Sequence, residues 1–395
     1  SAEFTRNLVE DMDEGELSHL SSDLVGQYES DKESRSDWEQ TYIKGLDLLG
    51  FKSEDRAQPF QGASGVSHPL LAESVTQFQA QAYKELLPSG GPVKTQVMGE
   101  ETDSTTEQSE RVKEFMNYQI THVMEEFDPE LDQMLFYLPL SGSAFKKVYY
   151  DQNLQRAVSK FIPSDELVVP YLATDLDSCE RVTHVVKMMG NDLRKHQVAG
   201  FYSDVELKPY QLDEKDLTEA QRKLEGTQKT TGSMEQHQLL EFHVLLDLPG
   251  FEDTDEKNKD TGIKLPYIVT IDEDSGQIIG IRRNWREDDE LKDKIPYFVH
   301  FKFLPGLGFY GFGLIHMLGG LSKTATSALR QLLDAGTLSN LPAGFKAKGL
   351  RLKDEDEPLQ PGEWRDVDAG GQAIRDSLMP LPYKEPSVTL FNLLG

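Results

Sequence analysis

The glycine-rich stretch Gly306–Gly311 is the part of the chain whose spacing most suggests chemistry. Its letters, GLGFYG, fit the G-x-G-x-x-G pattern, and they lie between a strand-like run at Tyr297–Phe303 and a helical pattern. In dinucleotide-binding folds such glycines let the backbone approach a pyrophosphate at a helix N-terminus. Pro305 and the bulky aromatic residues disfavour that site, and no second strand with a ribose-binding acid follows, since Asp334 belongs to the same helix. We therefore predict a structural hinge, formed by Gly306, Gly308, Gly311 and Gly313.

The acidic run Asp272–Gly276 resembles a calcium-binding loop but departs from it twice. Its glycine is at the fifth position instead of the sixth, and Arg283 stands where a bidentate glutamate is required. We predict a hairpin turn here instead. The nine histidines are scattered without the spacing of a zinc motif. We find no catalytic constellation, and we expect no cofactor, no metal and no enzymatic activity.

A long helix is predicted from Leu314 to Ala335, about 33 Å in length. Its apolar residues alternate at spacings of four and three, which is the seam of a helix that packs lengthwise against like neighbours. The seam that we expect to pack comprises Leu314, Leu318, Leu321, Ala325, Ala328 and Leu332. A second row on the helix is small, polar and basic: Gly319, Lys323, Thr326 and Arg330.

The remaining pattern predicts an α+β fold with antiparallel sheet. Helical periodicity dominates to about residue 140, including a helix whose capping box we assign to Ser104 and Glu107. Residues rich in β-branched and aromatic side chains follow and predict strands. These strands are Ala144–Tyr150, Ala157–Ile162, Arg181–Met189, Leu239–Leu246, Tyr267–Ile271 and Ile278–Arg283. A small β-rich excursion follows the long helix, and Ser387–Leu394 resembles the first turns of another helix.

Composition narrows the class of protein. The formal net charge of −27 argues against tight nonspecific binding to nucleic acid, which requires clustered Lys and Arg. Cys179 is the only cysteine, so no intramolecular disulfide can form. No apolar run is long enough to span a membrane, and the first residues do not resemble a signal peptide. We expect a soluble protein inside the producing cell.

Three stretches together resemble the portal, or head-to-tail connector, proteins of tailed double-stranded-DNA bacteriophages, of the short-tailed type. The first is Leu46–Pro88, with the loop FQGASGV and the helix after Pro69. The second runs from the predicted hairpin through Tyr297–Phe303 to Leu314, and includes FYGFGL. The third is Ser327–Gly344, where LLDAGTL runs towards Pro342. Each of these motifs is structural.

The resemblance implies a portal-protein fold that assembles into a ring, typically of about twelve subunits. It has a mixed α/β wing, a long stem helix and a small β-rich clip. Mapped onto this chain, residues 1–303 form the wing, with helices to about 140 and then the antiparallel α+β region. Residues 304–343 form the hinge and first stem helix, residues 344–386 the clip, and residues 387–395 the start of a second stem helix. The remainder of that helix, a channel loop and a crown are absent from the sequence, so we expect the natural polypeptide to continue.

The resemblance also implies a structural role at the portal vertex of a capsid. The ring forms the channel through which viral DNA is packaged and ejected, and it docks the terminase motor, whose large subunit hydrolyses ATP, and a head–tail adaptor. Major capsid and scaffolding proteins are further partners. The location is the virion, and the host cytoplasm during assembly.

The residues predicted to carry this role lie on the long helix and in the clip. Lys323, Thr326 and Arg330 are assigned to the channel wall, where a net-negative ring would repel DNA and sparse basic groups would touch phosphates transiently. The alternative for Lys323 and Arg330 is a stripe that is solvated or paired between subunits. Docking to a basic motor is assigned to an acidic clip tip and a nearby aromatic residue: Asp354, Glu355, Asp356, Glu357 and Trp364. The alternative for the acidic run is an ordinary solvated loop. Two other classes stay open, a nucleotide-binding enzyme built on Gly306–Gly311 and a different head–tail adaptor of a virion.

Overall fold

The computed structural model describes residues 3–51, 53–152, 154–209, 216–227, 236–255, 257, 259–340, 344–346, 351–352, 367–368, 378–380 and 384–394. The fold is α+β, and every strand pair among these residues is antiparallel. The chain divides into two compact units. The first unit comprises residues 1–47 and 70–319, and the second comprises residues 48–69 and 320–395.

The first unit begins with five α-helices, and its strands follow in two groups separated by two further helices; the longest helix continues into the second unit. The α-helices are α1 Glu14–Ser34, α2 Ser36–Asp47, α3 Leu70–Leu86, α4 Asp103–Tyr118, α5 Phe127–Ser141, α6 Gly190–Val198, α7 Asp216–Glu225, α8 Leu314–Asn340 and α9 Val388–Leu394. Short 3-10 turns occur at Val9–Asp11 and Ser164–Glu166, and a π-helical turn follows α4 at Gln119–Val123. None of the helices that the structure describes is long and apolar enough to cross a membrane.

The strands form two larger sheets in the first unit and two strand pairs in the second. The strands are β1 Ser143–Asp151, β2 Arg156–Pro163, β3 Leu167–Val168, β4 Arg181–Met189, β5 Gln236–Leu246, β6 Leu265–Asp272, β7 Ile278–Arg283, β8 Phe298–Lys302, β9 Gly344–Lys346, β10 Arg351–Leu352, β11 Val367–Asp368 and β12 Leu378–Pro380. One sheet has the order β2-β1-β8 and the other the order β3-β4-β5-β6-β7. In the second unit β9 pairs with β12, and β10 with β11.

A core of the first unit lies between α1 and the five-stranded sheet. Leu24 and Tyr28 are four residues apart on α1, so they occupy the same helix face, and both are buried. The ring of Tyr28 meets Phe242 of β5 edge-on, with 6.4 Å between the ring centroids. Burying side chains of this size stabilises a fold by about 1.5–3 kcal/mol each. The α1 helix is therefore a cover for one face of the sheet.

The junction of α5 and β1 places the three-stranded sheet. The helix ends at Gly142, whose φ of 90° is left-handed and whose N–H donates to the carbonyl of Leu138 at 2.9 Å. A residue with a Cβ is strained in this conformation, which is why helices commonly end on glycine. Strand β1 starts at the next residue, Ser143.

In the second unit, residues 54–68 form a compact loop that we call the strap. The N–H of Glu54 donates to the carbonyl of Gly65 at 3.1 Å, and Arg56 forms an isolated antiparallel bridge with Ala63. A Cβ on Gly65 would overlap the backbone of Glu54. The strap thus requires glycine where its two ends meet.

Most of the predicted elements are confirmed, with one clear error. Every predicted strand before residue 290 lies within an observed strand, and the predicted hairpin after Asp272 joins β6 to β7. The long helix begins at Leu314 as predicted and continues to Asn340, five residues beyond the predicted end. The capping box was wrong: Thr102 and Thr105 form it, because α4 begins at Asp103, one residue before the predicted cap.

Candidate interface on the long helix

The predicted glycine hinge is a hairpin-like loop between β8 and α8. Leu304 and Phe312 exchange two backbone hydrogen bonds, of 3.2 and 2.8 Å, across the base of the loop. A Cβ on Gly306 would overlap the Tyr310 carbonyl, and a Cβ on Gly311 would overlap the Gly142 carbonyl. Gly313 is similarly confined by Leu140 and Gly142, whereas Gly308 has open space where a Cβ would stand. Three of the four glycines therefore serve close packing.

The interior of this loop is filled by its own aromatic side chains. Phe309 is buried and lies 4.7 Å from the ring of His300 and 5.9 Å from that of Phe145. Tyr310 stacks on Trp38 of α2 at 4.9 Å. Leu307, at the tip, is fully exposed. The loop is thus anchored to β1 and α2 by aromatic contacts.

Three backbone donors at the end of the glycine loop that could face a phosphate are already in use. The N–H of Gly311 donates to Ser143 Oγ at 2.8 Å, and the N–H of Phe312 donates to the Leu304 carbonyl. At the start of α8, the N–H of Gly313 donates to His316 Nδ1 at 3.0 Å. Burial lowers the pKa of His316, which suits an imidazole nitrogen that accepts this hydrogen bond. Phosphate sites at helix N-termini need such N–H groups free.

Within the second unit, the polar row of α8 holds the strap. Thr326 Oγ1 accepts from the backbone N–H of His68 at 3.0 Å. One turn later, Arg330 donates to the carbonyls of Val66 and Gly65, at 2.7 and 3.3 Å, and pairs with the Glu54 carboxylate at 3.1 Å. The row that the sequence assigns to a channel is, in these two residues, engaged with the protein's own backbone.

Asp334 extends the same row by one turn and completes the attachment of the strap. Its Oδ1 accepts from the backbone N–H of Ser64 at 2.6 Å, and its Oδ2 lies 3.4 Å from the Arg56 guanidinium. The Asp334 side chain is mostly buried. Arg330 and Asp334 are one turn apart on the helix. Two oppositely charged side chains of α8 therefore hold the strap.

Lys323 is the predicted channel residue that remains exposed. The other two, Thr326 and Arg330, are partly buried. Whether any of the three faces a channel depends on an assembly of several chains, and it stays a prediction.

The apolar seam of α8 is only partly covered by the part of the chain that the structure describes. Leu314 and Ala328 are buried, and Leu318, Ala325 and Leu332 are half-buried. Leu321 is 59% exposed. Met317, one turn before Leu321, is 50% exposed and extends the apolar strip. This strip, Met317 and Leu321 together with the half-buried seam residues beside them, is the candidate interface.

The chain returns to α8 after the excursion that follows Asn340. Ser339 Oγ donates to the carbonyl of Lys384 at 3.2 Å, and Pro386 lies against Gly336. Helix α9 begins two residues later, as the sequence predicts, and it exposes Val388, Phe391 and Leu393. The predicted clip residues Asp354, Glu355, Asp356, Glu357 and Trp364 lie outside the described residues.

Sequence reasoning missed Arg35, a buried residue between α1 and α2. Its guanidinium donates to the carbonyls of Ser164 and Leu167, both at 2.8 Å, and to that of Asp165 at 2.6 Å. It also donates to the hydroxyl of Tyr310 at 3.1 Å. One side chain thus joins the N-terminal helices, the turn before β3 and the glycine loop.

A second group that the sequence did not reveal lies between the two sheets. Glu241 of β5 accepts hydrogen bonds from Lys147 of β1 and from His243 Nε2, both at 2.6 Å. His184 Nδ1 lies 4.0 Å from the same carboxylate oxygen. Side chains that pair from such distant parts of a sequence leave no local pattern that could predict the group. In the structure the group stands out because four polar side chains are mostly buried together.

Lys146 and Ser159 form a third polar contact, and their residue types could support catalysis. Lys146 Nζ donates to Ser159 Oγ at 3.3 Å and lies 4.3 Å from the Phe127 ring centroid, and burial lowers the pKa of the lysine. A lysine can activate a serine nucleophile in this way. Both residues are about 5% exposed or less, so the pair is closed to a substrate. Among the residues that the structure describes, no group of acidic, histidine or cysteine side chains is arranged to hold a metal ion.

Comparison of the chain with known protein families finds no matching family model, and comparison with curated proteins finds no match either.

Proposed function

We propose that the chain is a subunit of a portal-type ring, which forms the DNA channel at one vertex of a bacteriophage capsid. The observation that carries the proposal is that the polar row and the apolar strip of α8 have different surroundings. Thr326 and Arg330 of its polar row hold the strap of the same chain, while the strip around Met317 and Leu321 is exposed among the described residues. A long helix with an open, seam-like apolar strip is suited to pack against the equivalent helix of a neighbouring subunit.

The order of elements supports the same proposal. A 27-residue helix is followed by the short strand pairs β9–β12 and β10–β11, and the chain then returns beside α8 at Lys384. The resemblance to portal proteins implies this order of stem, clip and returning stem. Head-to-tail packing of different surfaces on identical subunits closes into a ring when the rotation permits.

Charge is consistent with a channel that does not bind DNA tightly. The net charge of −27 would repel the phosphate backbone, which allows DNA to slide. In this proposal the exposed Lys323 makes transient contacts to phosphates, the clip docks the terminase large subunit, and a head–tail adaptor and the capsid proteins are further partners.

Imaging of single particles of the natural full-length protein tests the proposal. Closed rings of about a dozen subunits around a central channel are expected. Particles of a monomer or a compact dimer, with saturable binding of a dinucleotide or ATP, would instead support an enzyme built on Gly306–Gly311. The engaged N–H groups of Gly311, Phe312 and Gly313 favour the first outcome.

A further inference from the structure

The four polar residues between the two sheets of the first unit form what we call the inter-sheet cluster: Lys147, His184, Glu241 and His243. Lys147 belongs to the three-stranded sheet and the other three to the five-stranded sheet. His184 and Glu241 are directly paired across β4 and β5, and His243 follows Glu241 by two residues on the same face. The cluster is therefore a polar contact that joins two sheets.

Aromatic rings enclose this cluster on the side of β8. Phe298 meets His184 and His243 edge-on, at centroid distances of 5.7 and 4.8 Å, and Tyr297 lies 5.4 Å from His243. The side chains of His184 and His243 are 7% and 5% exposed. Little water can therefore reach these imidazoles to solvate an added charge.

The charges in the cluster are balanced only while both histidines are neutral. One carboxylate, Glu241, faces the ammonium group of Lys147. Among the described residues, the other titratable or charged groups near the cluster include no second carboxylate: they are Tyr149 on β1, Tyr202 after α6, Arg282 on β7, and Lys294 and Tyr297 before β8. Protonation of both histidines would leave two uncompensated positive charges between the sheets.

We propose that the inter-sheet cluster is an acid-sensitive latch: protonation of His184 and His243 loosens the contact between the three-stranded and five-stranded sheets. The orphaned nitrogen of His184 supports this. Its Nδ1 is buried without a hydrogen-bond partner among the described residues, so a proton there would gain no acceptor at hydrogen-bond distance. The latch lies wholly within the first unit, and its test is independent of whether the chain forms a ring.

The direction of the pH effect follows from the histidine pKa values. Burial, with Lys147 nearby, lowers the pKa of His184 to about 3, and burial also lowers that of His243. A loosened state, in which water reaches the imidazoles, binds their protons near pH 6.5. The closed state is thus fully favoured above pH 6.5 and is weakened as the pH falls below it. The ammonium group of Lys147 and the hydrogen bond from His243 hold the pKa of Glu241 well below its usual range, so its contribution is lost only in stronger acid.

Hydrogen exchange of the full-length protein at pH 7 and pH 5 tests the latch. For His184 alone, the protection of backbone amides in β1 and β5 should fall by about 25-fold between these pH values, after correction for intrinsic exchange. The variant His184→Phe keeps an aromatic ring beside Phe298 and cannot titrate, so its fall should be smaller by that factor. His19→Gln, on the exposed His19 of α1, is the matched control and should behave as the wild type.

An equal fall in the wild type and in His184→Phe would overturn the proposal. If His184→Phe does not fold, His184→Gln replaces it. A titration of the wild-type imidazoles by NMR adds a measurement without any variant. Imidazoles that remain neutral at pH 5 are expected, whereas titration of all nine histidines near pH 6.5 would also overturn the proposal.

Discussion

Thr326 of α8 accepts a hydrogen bond from the backbone N–H of His68, with 3.0 Å between the two atoms. This contact, with those of Arg330 and Asp334 on the following turns, commits the polar row of the helix to the strap. Among the residues that the structure describes, none covers the apolar strip at Met317 and Leu321 in a comparable way. Thr326, Arg330 and Asp334 of the helix are therefore engaged with the strap, whereas Met317 and Leu321 are exposed, and this contrast is the basis of the proposed ring.

The glycines near the hinge should differ sharply in their tolerance of a side chain. Gly142→Ala and Gly311→Ala each force a Cβ into backbone atoms, and Gly142 also has a left-handed φ. We expect each to lower the free energy of unfolding by about 2–4 kcal/mol. Gly308→Ala is the matched control, since its Cβ would stand in open space, and it should change stability by less than about 0.5 kcal/mol. Denaturant unfolding measures all three, and equal losses at Gly308 and Gly311 would refute the close-packing interpretation.

Removal of the Asp334 carboxylate should release the strap. Asp334→Ala leaves the N–H of Ser64 without its acceptor and Arg56 without its ion-pair partner, at an expected cost of about 1–3 kcal/mol. Limited digestion with trypsin should then cut faster after Arg56, because local opening exposes the backbone. Lys323→Ala, on the exposed part of the same helix, is the control and should be cut at the wild-type rate. Unchanged cleavage in Asp334→Ala would show that the strap is held by other contacts.

Arg35 should not tolerate replacement by lysine. The planar guanidinium of Arg35 donates to three carbonyls and to the Tyr310 hydroxyl. The single ammonium group of a lysine cannot reach all four, so buried acceptors would lose their donors. We expect Arg35→Lys to cost about 3 kcal/mol in unfolding free energy. Trp38 fluorescence should also change, since Trp38 stacks on Tyr310. Arg194→Lys, at an exposed ion pair with Asp204, should cost less than about 1 kcal/mol. Similar costs for both variants would argue against the role of Arg35 as a central anchor.

Local patterns in the sequence predicted the elements well. The runs of β-branched and aromatic residues that form β1, β4 and β5 are dense enough to specify strands. The start of α8 at Leu314 was also predictable, because Leu314 directly follows the glycine loop. The cap of α4 was misplaced because Ser104 and Thr102 are both good caps two residues apart, and only the helix start decides between them. Such local ambiguities change an element boundary without changing the fold.

The contacts that define the candidate interface could not be read in the same way. The partner of Arg330 at Val66 is 264 residues away, and the partner of Lys147 at Glu241 is 94 residues away. A heptad-like seam predicts that a helix packs, but it does not say whether the partner is the same chain or another. The strap itself looked like a loop in the sequence, and its function as a cover for α8 depends on long-range hydrogen bonds.

Native mass spectrometry of the full-length wild type, of Leu321→Glu and of Leu291→Glu tests the proposed ring most directly. Leu321 and Leu291 are both exposed, but only Leu321 lies on the apolar strip of α8. We expect closed assemblies of about a dozen subunits for the wild type and for Leu291→Glu. Leu321→Glu should shift the protein to monomers or small oligomers, because a carboxylate would be buried between subunits. A wild type that remains monomeric, or a Leu321→Glu variant that assembles as the wild type does, would contradict the proposal.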